Sequence, residues 1–446
     1  MRLDIDGRNC ELESGRSILD AVKKEGLDSI MLSDRPLAAQ IGGEGFNLRF
    51  TPKKDTQIHL LRYGEDMGRR VYERTLQFLF ILAMRKEFPR ARVCVRYSLG
   101  PGLFITVDGM EEPFNEEAAL KVETEMPLER RRISIKEALS FYEQDGQADK
   151  AKLLKWRRFS YFDVYQIDGY MDYFYGEMAP DTSYADVFRV KYVHDGAVVL
   201  LMPRNDAPDV PSDYVDLPKL HAVFHQSDEW GKLMECATVN DLNTHIQNGT
   251  IRELVRINEA LHDRGYADIA DKIVQKGAKA VLVAGPSSSG KTTSAHRIST
   301  QLRLQGCHPV MLSLDDYYID RDKIERDENG EIDLENINTL DIQRFGSDLA
   351  ALIRGEKVEV PRFDFTNGKR APEGRILQLH DDEPVIIEGI HGLNPMLLSP
   401  EVDEGKIFRV YVSALTTLNL DDHNRIRTTD IRILRRLVRD YMTRNA

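Results

Sequence analysis

Apolar positions follow several spacings along the chain, and the changes of spacing mark its modules. At the start, Arg2-Leu3-Asp4-Ile5 alternates as a half-buried strand does, and Ser17 to Glu25 carries Ile18, Ala21 and Val22 at helical spacing. Gly42-Gly43 marks a turn, and Gln57-Ile58-His59-Leu60-Leu61 reads as a closing strand. Residues 1–62 are expected to form a β-grasp-like module with one helix. Residues 63–225 read as an α+β domain: a helix over Val71–Lys86 stopped by Phe88-Pro89, a hairpin from Val93–Ser98 to Leu103–Val107 across Gly100-Pro101-Gly102, and a short helix over Lys136–Gln144. A tyrosine-rich stretch follows (Tyr161, Tyr165, Tyr170, Tyr173, Tyr175), then the apolar run Ala197–Met202 and a loop punctuated by Pro203, Pro208, Pro211 and Pro218. Residues 226–277 show only helical spacing (Ile251, Leu254, Ile257, Leu261) and are expected to be a helical connector. From 278 to 446 strands and helices alternate. Strands are expected at Ala280–Ala284, Val310–Leu314, Val385–Glu388 and Ile407–Val412, and helices at 290–305, 341–354 and 428–444. Such alternation predicts an α/β domain, a parallel sheet with helices on both faces.

Composition narrows the picture. The 446 residues are 41% hydrophobic and 30% charged, which suits a folded soluble chain of several domains. Acidic residues (73) exceed basic ones (61), a net charge of −12, which excludes a general polyanion binder and leaves room for a local basic stripe. No apolar run reaches the roughly 18 residues a membrane helix needs, and the opening segment is polar, so no membrane partner is expected. Cys10, Cys94, Cys236 and Cys307 are far apart, with no CxxC, which fits a reducing cytoplasm and no disulfide framework.

The chemistry concentrates in Gly285-Pro286-Ser287-Ser288-Ser289-Gly290-Lys291-Thr292, followed by Thr293. This is GxxxxGKT between an apolar strand and a helix, the context in which such a loop wraps phosphates. Its glycines let consecutive amides face phosphate oxygens, and the helix N-terminus adds positive potential. Lys291 is expected at the β- and γ-phosphates of ATP, and Thr292 on Mg²⁺. The loop alone does not separate a kinase from an ATPase or GTPase. The next strand ends in Ser313-Leu314-Asp315-Asp316-Tyr317-Tyr318, where ligands of doubly wound sheets sit. A carboxylate there can take a proton from an attacking hydroxyl; the alternative is a metal-side aspartate of a hydrolase or a helix cap. Glu388 ends a third apolar strand and is the natural second carboxylate for Mg²⁺. Arginines 432, 435, 436 and 439 share one helical side, which suits a phosphate-clamping lid, a solvated basic face or an RNA-binding helix.

GPSSSGKTT, SLDDYY, the stretch Gly355 to Phe365, IIEGI and DIRILRRLVRD, in this order, resemble the uridine kinase branch of the phosphoribulokinase/uridine kinase family. The resemblance implies an ATP-dependent nucleoside kinase with Asp315 as base for the 5′-hydroxyl. It implies Tyr318 and Asp333 by the substrate, Phe363 and Phe365 at the base, Arg370 beside the pocket, and Arg436, Arg439 and Arg444 in the lid. Gly368 stands where the family reads a histidine and Phe363 where it usually has a tyrosine, so the pocket is short of polar base readers. Ala446 stands where a further lid arginine is usual, and the resemblance implies that the kinase core continues beyond it. Another small-hydroxyl kinase of the same superfamily remains an alternative.

From about 1 to 205 the chain resembles the N-terminal part of threonyl-tRNA synthetases, a TGS module and then the editing domain. This rests on Tyr72-Glu73-Arg74-Thr75-Leu76-Gln77-Phe78-Leu79 and on Ile167 to Gly176. Arg74 and Phe78 stand at the editing HxxxH pair, and Phe174 and Met178 at the later cysteine and histidine, so the resemblance implies a fold without its site. The module order resembles fused bacterial nucleoside kinases. It leaves open a regulatory, tRNA-associated role for the front half, and a homo-oligomer. His221 and His225 (HxxxH) lack an evident acidic third ligand, the tyrosines suit core packing or base stacking, and Arg130-Arg131-Arg132 suits a solvated loop or a phosphate contact.

Overall fold

The computed structural model describes residues 1–110, 126–167, 169–194, 196–326, 330–381 and 383–444. The chain folds as two compact units. One comprises Met1–Thr244 together with Thr417–Ile426, and the other His245–Thr416 together with Arg427–Ala446.

The first unit begins with a five-stranded sheet ordered Arg8–Glu11, Arg2–Ile5, Thr56–Leu61, Ala38–Ile41, Glu44–Phe46, with its first and last long strands parallel. Helix Ile18–Lys24 crosses it, opened by a capping box between Ser17 and Asp20 that satisfies two otherwise free amides. Leu3, Ile5, Ile18, Val22, Ile58 and Leu60 form its core, as the alternation at both ends of the module requires. The following α+β region is built on helix Asp66–Glu87, buried along most of its length. Its partner is an antiparallel sheet ordered Arg189–His194, Ala197–Leu201, Gly102–Asp108, Arg92–Leu99. A smaller sheet pairs Tyr161–Ile167 with Glu129–Ser134 and Tyr170–Asp172. Tyr165, Tyr170 and Tyr173 are buried in these cores, so the tyrosine run is mainly packing.

The second unit has a parallel sheet ordered Val310–Ser313, Val385–Gly389, Ala280–Ala284, Ile407–Tyr411. Helices cover both faces. Ala295, Ile298 and Leu302 of Lys291–Leu304, with Ala270 and Ile273 of Ile251–Lys276, pack on one side; Phe345, Leu349 and Leu352 of Ile342–Ile353 pack on the other. Gly277, left-handed at φ 62°, ends the long helix and turns the chain into the first strand.

Three expectations shift. The connector is not one piece: Pro218–Leu233 folds with the first unit, whereas Ile251–Lys276 is a cover helix of the second unit's sheet. The proline-rich loop contains a short hairpin, Pro203–Arg204 with Ala207–Pro211. Thr417–Ile426, expected inside the kinase domain, is part of the first unit.

Candidate active site

Every strand of the parallel sheet delivers its carboxyl end to the same edge. Ala284 leads into the phosphate loop, Ser313 into the short turn Leu314–Tyr317, and Gly389 follows Glu388, whose Cα pairs with those of Ser313 and Val283. Backbone approach at this edge is very close. A Cβ on Gly285 would lie 1.9 Å from the Val412 carbonyl oxygen, and one on Gly389 would lie 2.6 Å from Leu314 Cβ. Only glycine fits at either place, which explains why the strand ends can converge. Gly290 (φ 103°) and Ser288 (φ 60°) give the loop its curl into helix Lys291–Leu304.

Lys291, Asp315 and Glu388 share this edge and titrate against one another. Burial pushes the Lys291 ammonium down in pKa, and Glu388 and Asp315 oppose that shift. Burial pushes Asp315 up, with Asp316 adding repulsion and Lys291 and His391 opposing. Glu388 is pushed up by burial and by Asp315, against Lys291 and hydrogen bonds from Thr292 and Ser313. Two carboxyls raised beside a lysine lowered describes a site waiting for charge. Lys291 Nζ meanwhile donates to the Pro286 carbonyl at 3.2 Å, and Ser313 Oγ accepts from the Asp315 amide at 3.2 Å. Thr292 and Glu388 bring hard oxygen donors together, a donor set suited to a small divalent cation.

These groups open on a cleft of about 920 Å³, lined by Ser287, Ser288, Gly290, Thr292 and Thr293 of the loop segment, by Tyr318 and Glu335, and by Arg435, Arg436 and Arg439 of helix Thr428–Arg444. The arginine stripe thus faces the phosphate loop. Arg432 Nε donates to the Ser287 carbonyl at 2.8 Å and Arg435 Nε to the Ser288 carbonyl at 3.0 Å. Arg436 and Arg439 line the cleft while paired to Asp440. The side chain of Arg444 lies outside the described residues.

The expected acceptor residues separate into two groups. Tyr318 lines the cleft, donates to the Leu334 carbonyl at 3.1 Å, and has its phenol pushed up to about 12 by burial and by Asp315. Phe363 and Phe365 stand against it, with ring centroids 5.7 and 6.3 Å away, and form an aromatic wall beside the cleft. Asp333 is exposed and its carboxylate caps a turn by accepting the Glu335 amide at 2.9 Å. Arg370 is a brace: it donates to the carbonyls of Tyr317 and Tyr318 and pairs with Asp341 at 2.9 Å. At Gly368, left-handed at φ 65°, a Cβ would lie 2.5 Å from Arg321 Cδ, so the arginine stem fills the place of a side chain there. Sequence reasoning missed Glu335 and His391. His391 Nε2 is buried with no hydrogen-bond partner among the described residues. Its only sequence signal is its place three residues after Glu388.

In the first unit the four editing-site positions are structural. Arg74 donates to the carbonyls of Glu177 and Tyr175, at 3.0 and 3.1 Å. Phe78 stacks on Tyr170, Phe174 packs edge-on to Phe78, and Met178 is fully buried. His221 Nδ1 lies 2.7 Å from the Tyr97 hydroxyl, and no group of three metal-ligating side chains occurs among the described residues. Arg130 and Arg132 pair with Asp163, and Arg130 also with Glu177.

A parallel sheet, a phosphate loop at the head of its first helix and carboxylates on the two neighbouring strand ends define the second unit as a P-loop phosphotransferase. The model of the phosphoribulokinase/uridine kinase family matches residues 280–445. A uridine kinase of Staphylococcus haemolyticus is 32% identical over 162 residues, which cover 36% of this chain and 68% of that protein. The chain belongs to the phosphoribulokinase/uridine kinase family. A threonine–tRNA ligase of Clostridium kluyveri is 24% identical over 194 residues, 42% of this chain and 30% of that enzyme, so the chain spans under a third of the ligase. Among solved structures, a possible uridine kinase from Bacillus stearothermophilus is 24% identical with a TM-score of 0.27, covering 33% of this chain and 79% of that one. No helix among the described residues is long and apolar enough to cross a membrane.

Proposed function

We propose that the chain is an ATP-dependent kinase whose acceptor is the 5′-hydroxyl of a nucleoside. The observation that supports this best is the half-buried carboxyl of Asp315, pushed up in pKa, at the strand end on the same cleft as Lys291 and the phosphate loop. A carboxylate whose proton affinity is raised is a better base for an alcohol, and this one sits where an acceptor would approach a γ-phosphate. Asp315 takes the hydroxyl proton while the oxygen bonds to the γ-phosphorus and the bond to the β-phosphate oxygen breaks, leaving ADP. Lys291 and the cleft arginines take up the charge that spreads over the transferred group. Thr292 and Glu388 are the residues that would hold Mg²⁺, which supplies further charge neutralisation when bound.

The aromatic wall of Tyr318, Phe363 and Phe365 favours a flat base over a sugar phosphate, because a ring stacks on rings whereas a phosphate asks for spare cations. Arg370 is already committed in part, with its Nε on the Tyr318 carbonyl and one terminal nitrogen on the Tyr317 carbonyl and Asp341. The place of the family's histidine is taken by Gly368 and the Arg321 stem, so discrimination among bases rests on shape and stacking more than on hydrogen bonds. The test is incubation with γ-labelled ATP and a panel of purine and pyrimidine nucleosides. Labelled nucleoside monophosphate supports the reading. ATP turnover to free phosphate alone, or a labelled sugar or vitamin-like alcohol instead, rejects it.

A further inference from the structure

The segment Thr417–Ile426 lies in sequence between the kinase strand Ile407–Tyr411 and the arginine helix Thr428–Arg444, yet it folds as part of the synthetase-like unit. Its burial there is deep: Asn419, Asp421, His423 and Asn424 are all buried. Asp421 accepts from the Tyr173 hydroxyl and from the amides of His423 (2.9 Å) and Asn424 (3.0 Å). His423 Nδ1 lies 2.5 Å from Asp172 and 2.6 Å from Lys150 Nζ, and Lys150 and Asp172 are themselves a fully buried ion pair. Its carbonyl accepts from Gln77, on the helix that bears Arg74 and Phe78.

Along its edges the segment is held like a strand. The Val95 amide donates to the Asp422 carbonyl at 2.7 Å, Asn419 Nδ2 to the Val95 carbonyl at 2.9 Å, and the Val239 amide to the Asn419 carbonyl at 2.8 Å. Arg92 forks onto Asp422 at 2.5 and 2.8 Å, and Arg425 pairs with Glu73 at 3.1 Å. Glu73, Arg74, Gln77 and Phe78 fall in the same stretch of helix where the synthetase resemblance puts a hydrolytic pair. That neighbourhood now holds the chain's own loop.

We propose that the synthetase-like unit serves as a clamp whose partner is this chain's residues 417–426, and that by fixing this loop it anchors the start of the arginine helix. An arginine helix tethered at its first turn has fewer conformations to lose when it closes on phosphates, which is the gain that preorganisation brings. The functional meaning of the tether rests on reading that helix as the phosphate lid. The tether itself does not.

The experiment is amide hydrogen exchange on the full-length, nucleotide-free protein, comparing wild type with Asp421→Ala and with Arg92→Ala. The second variant removes an exposed side chain and keeps the test valid where the first fails to fold. Exchange across 428–444 is expected to quicken about tenfold in Asp421→Ala and a few-fold in Arg92→Ala, with 280–304 unchanged. Wild-type exchange across 428–444 in a folded variant would overturn the clamp, whatever the acceptor proves to be. Faster wild-type exchange at 417–426 on adding transfer RNA would also overturn it, by making RNA the partner of the synthetase-like unit in place of this loop. Arg439→Ala tests the lid reading separately: it should slow transfer and leave exchange at 417–426 as it was.

Discussion

Asp172, fully buried, and Asp315, half-buried, are both carboxylates near a lysine, and they behave in opposite ways. Asp172 is held well below the ordinary carboxyl range, because Lys150 and His423 outweigh the penalty of burial. It also accepts from the Tyr170 hydroxyl at 2.9 Å and the Tyr173 amide at 2.7 Å. Asp315 is pushed above its ordinary value, and its surroundings include a cleft, a second raised carboxyl and a lysine that burial disfavours. The comparison teaches that buried charge with its bonding capacity filled maintains a fold, whereas a half-buried charge on a cleft is available for a reaction. Asp421 refines the rule. Burial raises it too, yet it collects hydrogen bonds from Tyr173, His423 and Asn424 and is itself fully buried.

The sharpest way to break the comparison is Lys150→Met. Removing one partner of a fully buried pair should cost about 3–5 kcal/mol of unfolding free energy. Chemical denaturation measures it, and a loss under about 1 kcal/mol would mean that the network is dispensable. Lys291→Ala is the converse experiment. Transfer should fall by about 10²–10³-fold, with little change in the denaturation midpoint, since this lysine sits in an open cleft. Arg435→Ala should cost about tenfold in turnover and less in ATP affinity, because its present partner is a loop carbonyl that solvent can satisfy.

A smaller effect is the pH dependence. Asp315 must be ionised to accept a proton, so the acid limb of the rate profile should lie above the ordinary aspartate value of 3.8. Stability moves the other way. A carboxyl whose pKa is raised by folding binds more protons folded than unfolded, so its ionised form costs stability as pH rises from the ordinary value through the raised one. Asp315→Asn should therefore flatten that part of the stability profile, as read from thermal midpoints across pH.

Legibility in the sequence followed the range of the interactions. The phosphate loop, its strand and its helix are contiguous, so GPSSSGKT between apolar runs placed Lys291 and Thr292 at one cleft edge. Asp315 and Glu388 were legible because strand ends in a parallel sheet converge by rule. The bonding of Arg370 was not legible, because a bracing arginine and a binding arginine look the same in sequence; its bonds to Tyr317, Tyr318 and Asp341 appear only in the fold. Thr417–Ile426 was assigned to the kinase domain and folds with the first unit. Its partners lie about 250–350 residues away, and isolated polar pairs of that kind leave no period to read.

The most direct test of the central claim is Asp315→Asn, assayed twice on the same protein. ATP binding should stay within about twofold of wild type, while transfer to the best nucleoside acceptor falls by about 10²–10⁴-fold. Transfer at the wild-type rate in that variant would contradict the account, because the carboxyl would then be present without taking part.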